Sequence, residues 1–157
     1  MNLKYAPFAL ALLLAFPGTA ANAADAPAKP ATAQKADPRY TYKTPRLTRA
    51  QFDAYLKKPD QLAVIDVRRP DELITNGSFP AFISIQNSDI EKNLAYIPKD
   101  RSLVLVSNHA HRAGATGDLL SGKGYKVVGA IGSLDYEEEG GTIARITKPE
   151  PVAQVKQ

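Results

Sequence analysis

The chain has 157 residues, 44% of them hydrophobic and 23% charged, with a formal net charge of +4 and no cysteine. Lacking a thiol, it can form no disulfide, carry no cysteine-linked lipid and use no sulfur nucleophile. The small positive excess does not by itself imply a nucleic-acid partner. In chain order, Lys4 precedes an apolar run from Ala6 to Phe16, roughly ten residues and too short to span a bilayer. Pro17 and Gly18 break it, and Ala21-Asn22-Ala23 has the small-x-small form read by a signal peptidase. Residues 1–23 are therefore expected to be a signal peptide, leaving a periplasmic or secreted chain that is not held in a membrane after cleavage. Removing them takes away only Lys4 and lowers the formal charge to +3.

Residues 24–46 are rich in Ala, Pro and Lys and show no apolar periodicity, the composition of an extended linker. From Leu47 a pattern begins. Thr48 can cap a helix carrying Phe52, Tyr55 and Leu56 at helical spacing, and Pro59 ends it. The run 62–67 (LAVIDV) reads as a buried strand. A short helix is expected near Pro70 to Ile74, a strand around Phe82 to Ile85, and a helix around Asp89 to Tyr96 with Ile90, Leu94 and Ile97 on one face. Residues 102–107 (SLVLVS) form the clearest strand signal, followed by a helix from about Arg112 to Ser121 that Gly122 and Gly124 end. A strand over 126–131 and a turn into Leu134 to Glu139 complete one domain, residues 47–146, and 147–157 read as a flexible tail. Strands alternating with helices at this spacing predict an α/β fold, a mainly parallel central sheet with helices on both faces.

In such folds ligands sit beyond the carboxyl ends of the strands, where loops meet helix N-termini. Residues 107–112 occupy that place, and a loop turning straight from strand to helix can aim successive N–H groups inward as an anion nest. Arg112 at the start of the helix opposes the helix dipole unless an anion is near. Asp66 and Arg68, at the end of the first strand, read as supporting residues that satisfy backbone groups and pair with neighbouring charges.

Over residues 47–146 the chain resembles the rhodanese family of sulfurtransferases. The family's Asp-x-Arg followed by an acidic helix start is matched by Asp66-Val67-Arg68-Arg69-Pro70-Asp71-Glu72. Its Gly-His-Ile-Pro-Gly-Ala signature survives in degraded form as Gly77-Ser78-Phe79-Pro80-Ala81-Phe82. Gly122-Lys123-Gly124-Tyr125-Lys126-Val127-Val128 resembles the family's helix end and next strand, and Gly132-Ser133-Leu134-Asp135-Tyr136 stands where Gly-Gly and Trp are usual. The active loop, Cys-x-x-x-x-Arg in the family, is here Ser107-Asn108-His109-Ala110-His111-Arg112. The resemblance thus implies the fold and a ligand-binding loop at 107–112, with Ser107 in the nucleophile position. The six-residue length matches the sulfur-transferring members and not the phosphatase relatives.

Sulfur transfer needs a thiolate that attacks a sulfane sulfur and carries it as a persulfide, which a serine hydroxyl cannot do. A catalytically silent module is expected, with no catalytic residue and no cofactor, binding a small sulfur anion or a periplasmic partner protein. Asn108 and Ala110 also depart from the family's Cys-Arg-x-Gly pattern, Ala110 standing where a permissive glycine helps shape the nest. The only two histidines, His109 and His111, lie in this loop and leave three readings open. They are plain loop residues, or part of a pocket whose anion affinity rises as pH falls through about 7 to 5.5, or two ligands of a metal site in a delivery protein. No third ligand can be placed from the sequence. A hydrolase using Ser107 with either histidine as base is a further alternative, though the Gly-x-Ser-x-Gly elbow is missing.

Overall fold

The computed structural model describes residues 37–145. The expected signal peptide 1–23, most of the expected linker 24–46 and the expected tail 147–157 lie outside the described residues. No described helix is long and apolar enough to cross a membrane.

Four strands, β1 (Leu62–Asp66), β2 (Ile83–Ser84), β3 (Ser102–Ser107) and β4 (Val127–Gly132), form one sheet in the order β2-β1-β3-β4, all parallel. Among the described residues the α-helices are α1 (Arg49–Leu56), α2 (Pro70–Asn76), α3 (His111–Gly122) and α4 (Ser133–Glu138). Period-two alternation explains how two short central strands hold two cores. Ala63 and Ile65 of β1 with Leu103 and Leu105 of β3 pack with Ala113 and Leu120 of α3 and with Ile90 and Ile97. Leu62, Val64, Val104 and Val106 point the other way, onto Phe52 of α1, Phe79 and Tyr136 of α4. Both faces are therefore covered, as a near-continuous apolar strand requires.

Local signals set the helix starts. Thr48 makes a capping box with Gln51: the Thr48 Oγ1 accepts from the Gln51 amide (3.3 Å) and the Gln51 Oε1 accepts from the Thr48 amide (2.9 Å). Pro70 opens α2 at its first position, where a missing N–H costs nothing.

Two expectations are corrected. The helix expected over Asp89 to Tyr96 is a pair of 3₁₀ segments, Asn87–Asp89 and Glu91–Tyr96, with Asn93 outside helical geometry. The cause is local: the Asp89 carbonyl, the acceptor an α-helix would reserve for the Asn93 amide, takes the Asn93 Nδ2 at 2.8 Å, and that amide turns to the Ile90 carbonyl instead. The linker also ends earlier than residue 46. Lys43 and Thr44 donate their amides to Asp118 (3.0 and 2.7 Å), Arg46 bridges Ala130 in parallel, and the Leu47 amide bonds the Ala130 carbonyl. Residues 40–47 thus lie along α3 and the outer edge of β4. Gly117 permits the approach, since a Cβ there would lie 2.5 Å from the Thr44 hydroxyl.

Gly77 closes α2 with φ 69°, and a Cβ at that position would stand 2.4 Å from the Ala144 carbonyl oxygen. Left-handed geometry costs an L-residue roughly 1–2 kcal/mol and overpacking about 1–3 more. Gly77→Ala is accordingly expected to destabilise the chain by about 2–5 kcal/mol, read as a lowered urea midpoint; a loss under about 0.5 kcal/mol would contradict the tight 77–144 contact.

Candidate functional site

The site is built where β3 ends. Ser107, 1% exposed, is its last residue, and the serine Oγ accepts a hydrogen bond from the Ala113 amide in the first turn of α3 (3.3 Å). The hydroxyl is turned down onto the helix start, away from solvent. Ala110 completes the turn in the left-handed conformation, φ 63°, and its carbonyl begins α3 by accepting from the Gly114 amide at 2.7 Å. That conformation is the one a glycine takes without strain.

Beneath the loop lies a sealed ion pair. Asp66 and Arg68 are both 0% exposed. Arg68 reaches Asp66 through Nε (2.9 Å) and Nη2 (2.7 Å), then donates to the Gly77 carbonyl (2.8 Å), the Ser133 hydroxyl (2.9 Å) and the Asn108 Oδ1 (3.2 Å). Asp66 accepts further from the Ser78 hydroxyl at 2.8 Å. These two residues join four chain segments below the loop and leave no charge free for a ligand.

Glu72, quoted in the sequence motif but outside the expected ligand loop, is the second organiser. Its carboxylate takes Arg112 bidentately (2.8 and 2.5 Å), the Asn108 Nδ2 (2.8 Å) and the Arg69 amide (3.1 Å). The Arg112 hydrogen bonds hold the Glu72 carboxyl down at about 2, and Glu72 in turn raises Arg112. The anion that meets Arg112 at the helix start is this side chain. Because Glu72's pKa is lower folded than unfolded, the stabilisation is complete above the ordinary glutamate value and lost as pH falls toward 2. Thermal unfolding is expected to drop between about pH 4.5 and 2, and Glu72→Gln should lower the melting temperature at pH 7 and flatten that acid slope. A variant with an unaltered acid slope would remove this linkage.

The two histidines diverge. His109 Nδ1 lies 2.7 Å from Asp135, whose other oxygen takes Arg46 at 2.7 Å. His111 Nε2 lies 3.0 Å from Asp37, and its ring borders Tyr40 and Tyr42, at centroid distances of 5.9 and 6.3 Å. Arg39 holds the Asp37 carboxyl far below the usual aspartate range, first through its side-chain hydrogen bond. One ring nitrogen of each imidazole therefore lies within hydrogen-bond distance of a protein carboxylate. Neither imidazole meets Ser107, so the Ser–His pair of the hydrolase alternative is not formed. Among the described residues no group of three or more His, Cys, Asp or Glu is placed to hold a metal ion. Asp37, Glu72 and Asp135 were missed as site residues; Glu72 and Asp135 carried a signal in their places within the quoted motif segments, and Asp37 carried none.

No family model and no curated protein sequence matches the chain. Solved structures do. A rhodanese-related protein from Thermoplasma volcanium is 27% identical, with a TM-score of 0.57 over 64% of this chain and 97% of that one. A thiosulfate sulfurtransferase from Pseudomonas aeruginosa is 23% identical with a TM-score of 0.53 over 65% of this chain, which spans only 20% of that protein. A protein of unknown function from Rhodopseudomonas palustris, described as a possible tyrosine phosphatase, is 22% identical with a TM-score of 0.57, over 64% of this chain and 85% of that one. The fold is that of rhodanese-like domains, on a chain that has no cysteine.

Proposed function

We propose that this rhodanese-like chain is an exported, catalytically silent module that acts in the periplasm by binding a partner protein at its 107–112 end. One observation carries the reading: at the position where the family has its cysteine, the chain has a buried serine whose hydroxyl is bonded to the Ala113 amide. A protonated hydroxyl in that position neither attacks a sulfane sulfur nor carries one. A protein partner is favoured over a small anion because Arg46, Arg68, Arg69 and Arg112 around the loop are each matched by a carboxylate. A small anion would have to displace one of them. A protein surface can instead use the loop's rim, where His109 has 56% of its side chain exposed.

The purified mature protein, given thiosulfate and cyanide, should form no thiocyanate above a protein-free blank; robust turnover would overturn the silent reading. Ser107→Cys should add weak persulfide formation at most, because Ala110 and Asn108 still depart from the family's loop. For the binding half, a periplasmic pull-down that loses its partner on His109→Glu supports the loop as the contact. Millimolar binding of sulfate, sulfite or thiosulfate by calorimetry, abolished by Arg112→Gln, would replace the protein partner with an anion.

A further inference from the structure

The opposite end of the sheet is built differently. At the loop end the guanidinium groups are neutralised in place. At the amino ends of the strands, Lys57 and Lys58 precede β1, Lys99 and Arg101 precede β3, and Lys123 and Lys126 precede β4. All six are exposed. The register, Leu62 opposite Ser102 and Leu103 opposite Val127, sets these three segments side by side. The acids among them are Asp60, Asp100 and Glu91, and the one ion pair to a lysine here is Lys123 to Glu91 at 3.0 Å. Lys57, Lys58, Lys99, Arg101 and Lys126 make no ion pair with a described carboxylate.

A groove of about 610 Å³ opens on this end, lined by Leu94, Ala95, Ile97, Lys99, Lys123 and Tyr125. Its floor is held by the Tyr125 hydroxyl, which donates to the Leu94 carbonyl at 2.8 Å. Lys99 stands over the Tyr125 ring, its ammonium 5.3 Å from the centroid. Tyr96, between two lining residues in sequence, is 75% exposed, the largest exposure of any described bulky apolar residue. An apolar floor, the unpaired Lys99 on its rim, the unpaired Arg101 and Lys126 on the adjoining strand ends and the exposed Tyr96 form a surface complementary to negative charge interrupted by an apolar side chain.

We infer that this end of the sheet docks an acidic peptide segment of a partner protein, with one apolar side chain seated in the Leu94–Ile97–Tyr125 groove and carboxylates on Lys99, Arg101 and Lys126. Three features select this occupant. The groove is open, so a small molecule would bury too little of itself, whereas a chain segment also spans the row of cations. The Tyr125 ring is 7% exposed and its face is taken by Lys99, which leaves no platform for stacking a base. The cations follow the three strand ends in a line, which suits an extended chain better than a point ion. This contact is separate from the loop at 107–112 and stands or falls independently of it.

The test uses the mature chain and two fluorescein-labelled heptapeptides, one of glutamates around a central leucine and its glutamine counterpart, with binding read by anisotropy. The acidic peptide should bind, and raising salt from 20 to 200 mM should weaken it about tenfold. Lys99→Glu with Lys126→Glu should weaken it about tenfold or more at low salt, while circular dichroism stays native because both positions are exposed. Tyr96→Ala should weaken it about threefold without changing the salt dependence. An affinity unchanged by the charge reversals, equal binding of the glutamine peptide, displacement by a few millimolar inorganic phosphate, or tighter binding to phosphatidylglycerol vesicles than to the peptide would each overturn the inference.

Discussion

Asp66→Ala is expected to cost about 3–5 kcal/mol, the penalty for leaving a buried cation without its counter-charge, and so a large share of a small domain's stability. The reason is the position of Arg68, whose guanidinium is 0% exposed and cannot reach water without breaking its bonds to the Gly77 carbonyl, Ser133 and Asn108. The damage should spread to the loop, because Asn108 is held between Arg68 and Glu72. Urea unfolding measures the cost. The double replacement Asp66→Leu with Arg68→Met should be less destabilising than Asp66→Ala alone, since it removes both charges and leaves only neutral partners, among them the residue 68 backbone amide, to be satisfied elsewhere. If Asp66→Ala loses under 1 kcal/mol, or the double variant is the worse of the two, the ion pair does not organise the site as described.

Phe52→Ala should cost a similar amount, about 3–5 kcal/mol, by removing a fully buried ring from the second core. Phe52 meets Phe79 edge-on at 4.7 Å between centroids and Tyr136 at 5.9 Å, and Phe79 meets Tyr136 at 5.1 Å. Truncating it leaves a cavity under α1 and strips the two remaining rings of a partner. Phe52→Leu, which keeps most of the volume, should cost about 1.5 kcal/mol. The Tyr136 hydroxyl, which donates to Asp53 at 2.7 Å, gives a second readout: the burial and this bond raise the phenol to about 12, and Phe52→Ala should bring its titration back toward 10. A Phe52→Ala protein as stable as the parent would mean that α1 is not docked by this aromatic cluster.

What could be read in advance follows the range of the interaction. The β3 run 102–107 appears with the bounds its apolar pattern implies, and Thr48 caps α1 through a side chain three residues away. Pro70 opens α2 by a backbone rule that needs no neighbour, whereas the helix runs on to Asn76, two residues past the expected Ile74. Asn93 shows the limit within one turn: its side chain competes for the Asp89 carbonyl, a choice that apolar spacing does not report.

The amino-acid sequence by itself determined the alternation of strands and helices and the absence of a thiol, because each depends on residue identity and short-range periodicity. The tertiary structure alone decided what the loop's charges do. Arg112 meets a carboxylate 40 residues away, His109 one 26 residues away and His111 one 74 residues away. A guanidinium at a helix start has the same sequence signature whether it awaits a ligand or is held by its own protein, and only the folding of α2 against α3 sets Glu72 beside it.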